Sequence, residues 1–299
     1  MKARLPSHHE KYPAILEKLD QISAGHYGEV RTDRFIEEVQ FPQQQLLIIP
    51  DLHTRIHSKR HIQIDTLILT NSYMLVMEIK NITGTLRFKK EPNQLVRIMD
   101  SLEEKSFACP LTQLDRNVDG IKNLFPNTKI PIIQALVFPS QNTIIEDAPT
   151  NHHIFFAKQV PLFIQSLNNQ TSILSDNQFN QMANQFMKMN NNFTTTPLCE
   201  HMKINSEILK KGVLCKNCNS KLQRKSLQTW FCKVCFTTEK NPIPSNIEDL
   251  FLLIKQELSI KDCMHYLEIN SRYTIYNSLQ KMKVGKSGYK KSTKYKILH

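Results

Sequence analysis

Two carboxylates stand opposite each other in a stretch of the chain that has the pattern of a β-hairpin. Asn71-Ser72, a dipeptide suited to a tight turn, separates two runs rich in aliphatic residues. If these two residues form the loop, cross-strand partners have numbers that sum to 143, which makes Asp65 and Glu78 direct neighbours. Lys80 shares the face of Glu78, because side chains alternate along a strand. The sequence therefore predicts two acids and one ammonium group on one face of a sheet.

Opposed carboxylates repel each other and are costly to bury. A divalent cation between them removes that cost, and hard carboxylate oxygens favour Mg²⁺ or Mn²⁺. A metal ion held there can polarise a phosphoryl oxygen, and a nearby ammonium group can orient water or stabilise developing charge. The chemistry predicted is phosphodiester hydrolysis. The alternative is an exposed hairpin face on which Asp65, Glu78 and Lys80 form a surface ion triad.

Four cysteines form two C-x-x-C pairs, Cys215/Cys218 and Cys232/Cys235, with thirteen residues between them. Tetrahedral zinc needs four ligands that converge at about 2.3 Å, and two such turns joined by a short hairpin supply them. Asn219 follows the first pair, where a turn often needs the positive φ that asparagine tolerates. We therefore expect a structural Zn²⁺ in a zinc ribbon. Disulfides are the alternative, disfavoured in a reducing cytosol, and redox C-x-x-C chemistry lacks its βαβ context here.

The last part of the chain has the pattern of a helix-turn-helix. Ser259 can cap a helix that reaches Leu267, and Ser271 can cap a second helix that ends near Met282. An earlier helix over 247–257 would complete a three-helix core. The second helix exposes side chains suited to base edges or phosphates: Arg272, Tyr273, Tyr276, Asn277 and Lys281.

Residues 281–299 carry seven lysines and no acid. Such a segment suits a wing or arm along the DNA backbone, and we assign this role to Lys286, Lys290 and Lys291. The alternative is that the helical pair and its basic tail form a packing or oligomerisation element.

The net charge of +12 is divided unevenly along the 299 residues. Residues 1–170 hold 19 Lys/Arg and 18 Asp/Glu, whereas residues 171–299 hold 20 and 9, which gives net charges of +1 and +11. This asymmetry indicates a neutral domain joined to a part that binds a polyanion, a lysine-rich solvated surface being the alternative. Composition excludes disordered and fibrous classes, and no apolar run has the length of a membrane helix. We expect a soluble, cytoplasmic protein.

The elements that must position these residues form a mixed sheet flanked by helices. Residues 14–39 have helical spacing with an interruption at 25–28, and residues 107–124 return to helix. Between them, from 46 to 99, short apolar runs alternate with turn residues. Two more strands follow, at Ile132–Phe138 and 153–157.

Several motifs resemble the nuclease-related domain (NERD) family, a branch of the restriction-endonuclease-like D…(D/E)-x-K nucleases. They occur in family order over roughly residues 24–125 and comprise Gly25-x-x-Gly28-Glu29, Gln63-Ile64-Asp65, Glu78-Ile79-Lys80-Asn81 followed by Thr83-Gly84, and Pro110-Leu111-x-Gln113. The resemblance implies a restriction-endonuclease-like mixed sheet. The fold class predicted is α/β (α+β), with a small zinc ribbon and a helical, winged-helix-like C-terminal domain.

By this resemblance, Asp65 and Glu78 are metal ligands, joined by the Ile79 carbonyl, and Lys80 is the catalytic lysine. Glu29 is a helix-borne acid that shapes the metal site, and Gln113 reaches the same pocket. Each of these two has an alternative, since an acid in an early helical turn is favourable without catalysis and a first-turn glutamine is often only solvated. The chain departs from the family at 58–61, where Ser-Lys-Arg-His replaces the usual glycine, and it lacks the tryptophan after the Thr-Gly turn.

The predicted domains are a nuclease domain at 1–167, an Asn/Gln-rich linker with a possible helix at 168–205, a zinc ribbon at 206–241, and a nucleic-acid-binding domain at 246–299. The function predicted is a Mg²⁺-dependent nuclease, with Mn²⁺ as a substitute, whose substrate is nucleic acid, most simply DNA. One alternative is a non-catalytic DNA-binding regulator that uses the nuclease fold as a scaffold. Another makes the ribbon and tail protein-contact modules. A homodimer is left open.

Overall fold

The computed structural model describes residues 1–41, 45–99, 101, 103–168, 170–190, 197–289 and 292–298. The chain forms two compact units. The first, the sheet unit, comprises Asp20–Asn192, and the second, the C-terminal unit, joins Met1–Leu19 to Phe193–His299. Within the described ranges the fold is mixed α/β, with several sheets and eight α-helices. This confirms the predicted α/β (α+β) class and is consistent with a nuclease-like fold.

A five-stranded sheet forms the centre of the sheet unit, in the order β1-β2-β3-β7-β9. The first three strands are antiparallel, whereas β3, β7 and β9 run parallel to one another. The strands are β1 (Leu46–His57), β2 (Arg60–Thr70), β3 (Met74–Ile79), β7 (Ile132–Phe138) and β9 (His153–Phe156). All six residues of β3 are buried, as a central strand covered on both faces requires.

A second sheet of four strands has the order β6-β5-β4-β8. Its strands are β4 (Gly84–Lys90), β5 (Asn93–Ile98), β6 (Glu104–Ala108) and β8 (Thr143–Glu146). The sequence pattern does not predict β6 or β8. Both are edge strands without strong apolar alternation, and their side chains are mostly exposed or half-buried.

Four helices belong wholly or partly to this unit: α1 (Tyr12–Glu37), α2 (Pro110–Leu124), α3 (Val160–Leu167) and α4 (Asp176–Met189). One hydrophobic cluster lies on the α2 side of the five-stranded sheet and includes α4, and another includes residues of α1 and α3. Pro110 begins α2, as expected for a residue whose missing N–H is not needed in the first turn.

Helix α1 runs through Gly25–Gly28 without the interruption that the sequence suggests. A Cβ atom on Gly28 would lie 2.6 Å from the Asn81 Cβ atom and 3.1 Å from the Pro139 Cγ atom. Gly28 therefore permits a close approach of the helix to the end of β3, and it does not break the helix.

Helix α4 is the possible helix expected inside the predicted linker. Ser175 and Gln178 form a capping box, and Phe179, Met182 and Phe186 are buried in the α2-side cluster. The sheet unit therefore extends to Asn192, inside the segment 168–205 that the sequence pattern assigns to a linker. Residues 191–196 of that linker lie outside the described residues.

The C-terminal unit contains the cysteine-bearing ribbon and the last helices around one hydrophobic cluster. Its helices are α5 (Leu198–His201), α6 (Ile243–Leu253), α7 (Ile260–Leu267) and α8 (Arg272–Gln280), and its strands are β10 (Gln223–Arg224), β11 (Thr229–Phe231), β12 (Thr238–Lys240), β13 (Val284–Ser287) and β14 (Lys294–Ile297). Strands β10 to β12 form one small sheet and β13 and β14 another. Ribbon residues such as Trp230 share the cluster with helical residues such as Leu250.

The first residues of the chain also pack in this unit, although the sequence pattern places them with the domain at 1–167. Arg4 is only 1% exposed, and its Nε atom donates to Asp249 Oδ2 at 3.0 Å. Its other nitrogens donate to the Asn246 side chain and to the Gly212 carbonyl. These long-range partners leave no local pattern, so the association is invisible in sequence.

The predicted caps of the last helices are present. Ser259 and Asp262 form a capping box on α7, and Ser271 Oγ accepts the Thr274 N–H at 3.2 Å on α8. The earlier helix begins at Ile243 and ends at Leu253, four residues before the expected bounds, because Pro244 fits its first turn. Among the helices that the structure describes, none has both the length and the apolar character needed to cross a bilayer.

Candidate functional site

The register of strands β2 and β3 is the one that the sequence predicts. The cross-strand pairs run from Thr66↔Met77 to Leu69↔Met74, and the numbers of each pair sum to 143. The ladder stops just before Asp65 and Glu78. There the Asp65 carboxylate accepts the backbone N–H of Ile79 at 2.7 Å. A side-chain oxygen thus takes the place of a strand carbonyl, and the two acids lie at the point where β2 and β3 separate.

Glu78 is completely buried at the end of β3, with a relative exposure of 0%. Lys80 Nζ approaches its Oε1 atom to 2.5 Å as an ion pair. Apart from this ion pair, neither carboxylate oxygen has a hydrogen-bond partner within the described part of the chain. Burial, followed by the charge of Asp65, raises the pKa of Glu78 to about 7, although Lys80 opposes the shift. The side chain is therefore an under-coordinated acid in an apolar setting.

Lys80 is held between β3 and α2. Besides its ion pair with Glu78, its Nζ atom donates to Gln113 Oε1 at 3.2 Å. Gln113 lies in the first turn of α2, and its side chain is not merely solvated, because it accepts this hydrogen bond. The lysine is 29% exposed, so its ammonium group can meet a bound molecule.

Glu29 on α1 lies within electrostatic reach of the two acids. Burial and then the charge of Asp65 raise the pKa of Glu29, and the charge of Glu29 in turn contributes to the raised pKa of Glu78. The Asn81 side chain donates to the Ala24 carbonyl at 2.7 Å and so fixes this part of α1 to the end of β3. All five predicted catalytic residues are thereby brought to one end of the sheet.

The pKa of Asp65 is subject to opposing effects. Burial raises its pKa, whereas the hydrogen bond from Ile79 and the charge of Lys80 lower it. Asp65, Glu78 and Glu29 thus share a raised proton affinity, because each would concentrate negative charge in a poorly solvated place. The carboxylate oxygens of these residues, including the buried Glu78 oxygens that lack further hydrogen-bond partners among the described residues, fit a hard divalent cation such as Mg²⁺ or Mn²⁺.

Two polar residues beside Asp65 are not among the residues predicted from sequence. Asp51 has a positive φ of 47°, and its Oδ1 atom lies 2.9 Å from His53 Nε2 and accepts Gln63 Nε2 at 2.8 Å. Both Asp51 and His53 contribute to the electrostatics of Asp65. The signal that could have found them is the β1–β2 register, in which partner numbers sum to 116. Pro50 hides that signal, because a proline usually ends a strand.

The four predicted cysteines form a second cluster, with all four Sγ atoms within 4.8 Å of one another. The two turns are built alike. Asn219 donates its N–H to the Cys215 carbonyl at 2.9 Å, and Phe236 donates to the Cys232 carbonyl at 3.0 Å, with φ of 58° and 59° at Asn219 and Phe236. The cluster could hold a metal ion such as Zn²⁺, for which four thiolates are a suitable donor set.

The described residues that we predict to bind nucleic acid lie on α8, directly after it and on β13. Arg272, Tyr273, Tyr276 and Lys281 are exposed and Asn277 is half-buried. Lys286 lies on β13, with Nζ 5.6 Å from the centre of the Tyr276 ring. Lys290 and Lys291 lie outside the described residues.

A cavity of about 670 Å³ opens beside this surface. Its polar lining includes Lys261, Arg272, Tyr273, Tyr276 and Tyr295. Cations and aromatic rings therefore alternate around one concave face of the C-terminal unit, a combination that suits phosphates and bases.

Comparison with known families adds one finding. Residues 24–139 match the nuclease-related domain family, NERD. The match includes all five predicted catalytic residues and confirms the resemblance drawn from the motifs. It indicates a nuclease-related function for this part of the chain. Comparisons with curated proteins and with solved structures gave no match.

Proposed function

From the nuclease-related domain at residues 24–139 we propose that the protein is a Mg²⁺-dependent nuclease that hydrolyses phosphodiester bonds, with DNA as its substrate. The observation that carries the proposal is the buried Glu78 carboxylate, which has the Lys80 ion pair but no other partner among the residues described and lies near Asp65. Burial of two neighbouring acids is costly, and a cation bound between them would offset that cost.

Asp65, Glu78 and the helix-borne Glu29 would hold the cation. When bound, a divalent ion supplies Lewis-acid polarisation of a phosphoryl oxygen and lowers the pKa of bound water. The chain's own contribution is positional and electrostatic. Lys80 holds its ammonium group beside Glu78, where it can donate to an attacking water or to a non-bridging phosphate oxygen.

Gln113 acts on Lys80. Its Oε1 atom accepts one ammonium proton and, together with the Glu78 ion pair, limits the direction in which the ammonium group can donate to a bound molecule. Asp65 has a second role, since it holds the Ile79 N–H and thereby fixes the backbone between Glu78 and Lys80.

The C-terminal unit would supply nucleic-acid binding. Helices α6, α7 and α8 followed by the β13–β14 hairpin have the order of a winged helix-turn-helix. Leu258, before α7, forms an antiparallel β-bridge with Tyr295 of β14. Glu268 takes the left-handed conformation at the end of α7 (φ 51°), which supports a tight turn in place of the usual glycine. The cysteine cluster would be a zinc ribbon that stabilises this unit.

A cleavage panel tests the proposal directly. Wild type, Glu78→Gln and the control Glu38→Gln are incubated with duplex DNA, single-stranded DNA and RNA, each with Mg²⁺, with Mn²⁺ and with chelator. We expect metal-dependent cleavage by wild type and by the control, whose carboxylate is exposed beyond the end of α1. Glu78→Gln should lose about a thousandfold in rate, since it removes a ligand and a charge.

The main rival is a DNA-binding regulator that uses the nuclease fold only as a scaffold. It predicts nucleic-acid binding without cleavage of any substrate under any metal condition, and a Lys80→Ala variant indistinguishable from wild type. That pair of results would replace the proposed activity.

A further inference from the structure

The hairpin formed by β1 and β2 extends beyond β3 and carries only basic charges there. Strand β3 pairs with β2 from Thr66 onward, whereas β1 and β2 continue to pair as far as His57↔Arg60. Residues 52–64 contain three Arg/Lys residues, three histidines and no acid. This segment includes the Ser-Lys-Arg-His sequence at 58–61 that departs from the family pattern.

The two faces of this hairpin segment differ sharply. Leu52, Thr54, Ile62 and Ile64 are buried on one face. That face packs on α2, since a Cβ atom on Gly120 would lie only 2.9 Å from Ile62 Cγ2. The opposite face presents the exposed residues Arg55, His57, His61 and Gln63. The basic outer face of the hairpin is therefore held in place by the packing of its inner face on α2.

The basic face approaches the candidate catalytic acids along β2. Arg55 pairs with His61 and His53 pairs with Gln63. The ladder is interrupted at Asp51, which has a positive φ, and it resumes at Pro50 with Thr66. At about 3.4 Å per residue along a strand, His61 lies about 14 Å from Asp65.

The tip of the hairpin is fixed in place. Arg60 donates to Asp119 Oδ2 at 2.6 Å and to the Arg116 carbonyl at 2.7 Å, which ties the tip to α2. Asn117 donates to the Gln63 carbonyl at 2.7 Å farther along. Arg60 is thus paired with an acid of the protein, whereas Arg55 and Lys59 are exposed on a hairpin that these contacts hold in place.

A groove of about 500 Å³ lies beside this hairpin and is lined by residues of both the hairpin and α2. Its lining includes Arg60, His61, Gln63, Gln113 and Arg116. Gln113 also accepts the hydrogen bond of Lys80 Nζ, so one residue of the lining contacts the candidate catalytic lysine.

We propose that the basic outer face of the β1–β2 hairpin binds the phosphodiester backbone of a nucleic-acid strand and directs it along the groove to Asp65 and Glu78. This inference rests on the proposed hydrolytic function. It gives the sheet unit a nucleic-acid-binding surface of its own, in addition to that proposed for the C-terminal unit. A polyanion fits because residues 52–64 are all neutral or basic and because phosphates can be contacted without base specificity.

The test compares two charge-matched double variants of the full chain. Arg55→Gln/Lys59→Gln removes two exposed cations of the hairpin, and Lys129→Gln/Lys158→Gln removes two exposed cations before β7 and after β9. Each is assayed on a polynucleotide and on the p-nitrophenyl ester of thymidine 5′-monophosphate, which is too small to reach the hairpin from the acids. Circular dichroism checks that both variants fold.

We expect the hairpin variant to raise KM for the polynucleotide about tenfold, as the loss of two phosphate contacts implies. Its kcat and its hydrolysis of the small ester should stay within about twofold of wild type. The slope of log affinity against log salt for the polynucleotide should fall by about 2. The control variant should change none of these quantities.

Equal KM values for the two double variants would overturn the hairpin proposal, and the face would then suit an acidic protein instead. Failure of the proposed function gives a different result, because wild type would then hydrolyse neither substrate. Even in that case the metal-free affinities of the two variants decide whether the hairpin binds nucleic acid.

Discussion

The four cysteine sulfurs come from two turns of the same construction, whereas the acidic site is assembled from unlike parts. All four thiols lie within residues 215–235, and matching backbone hydrogen bonds shape both turns. The acidic site draws Glu29 from α1, Asp65 and Glu78 from neighbouring strands and Gln113 from α2. A cysteine cluster made of local turns would depend on a bound metal ion to hold it together, whereas the acidic cluster, assembled by packing, would form without one.

The same contrast appears in how each site is buried. Glu78 is held in an apolar interior that the fold provides, and the cost appears as its raised pKa. Cys232 is equally buried, but it belongs to a module of three short strands that has little interior of its own. We therefore expect metal removal to unfold the ribbon and to leave the acidic site folded. At high pH the ionised carboxylates of that site should repel one another more strongly.

The largest effect should follow from Cys232→Ser. Loss of one thiolate should release the metal and destabilise the C-terminal unit by several kcal/mol, because structural zinc contributes folding free energy directly and Trp230 of the ribbon shares the unit's core. Elemental analysis should find about one zinc per chain in wild type and almost none in the variant. Cys109→Ser, in the sheet unit, is the matched control, and this variant should keep its zinc.

The next effect is a pH dependence of the metal-free protein that Glu78 dominates. The pKa of Glu78 is about 7 in the folded chain, against 4.5 for a glutamate in water, so the folded state binds the extra proton between these values. The contribution of Glu78 to stability should therefore be fully present below about pH 4.5 and fall by about 3 kcal/mol as the pH rises through 7. The pKa values of Asp65 and Glu29 shift in the same direction.

Urea unfolding at a series of pH values in chelator measures this slope. Glu78→Gln has no carboxyl group to titrate there, so its curve should be flatter than that of wild type. A variant that kept the full slope would show that the acidic site is not under the electrostatic strain inferred for it.

A smaller effect should separate two glycines of α1. Gly28→Ala places a Cβ atom 2.6 Å from Asn81 Cβ and should cost about 1 to 3 kcal/mol through overpacking. At Gly25 the nearest atom, Glu29 Oε1, is 4.0 Å away, so Gly25→Ala should stabilise the helix by up to about 1 kcal/mol. Thermal unfolding distinguishes them. Equal effects would mean that α1 does not pack on the end of β3 as described.

The parts of the fold that sequence predicts are those set by neighbouring residues. Asn71-Ser72 between two apolar runs is enough for the β2–β3 register, and the serines at 259 and 271 are enough for two helix starts. The cysteine spacing likewise predicts the turn at Asn219. In each case a few adjacent residues determine the backbone, so the signal is local.

What sequence could not show depends on contacts between distant segments. Strand β1 continues through Asp51 although this residue has a positive φ, whereas the neighbouring Pro50 suggests that the strand ends there. Arg4 finds its partners more than 200 residues away. Gly28 has the pattern of a helix breaker, and only the close approach of Asn81 explains it. Packing rather than propensity decides all three.

Metal titration tests the central claim most directly, since the buried acids are held to be a cation site. Isothermal titration with Mn²⁺ should show a binding site in wild type that is absent from both Asp65→Asn and Glu78→Gln and is retained in Glu38→Gln. Equal Mn²⁺ binding by wild type and by Glu78→Gln would contradict the account, because the buried carboxylate would then hold no metal.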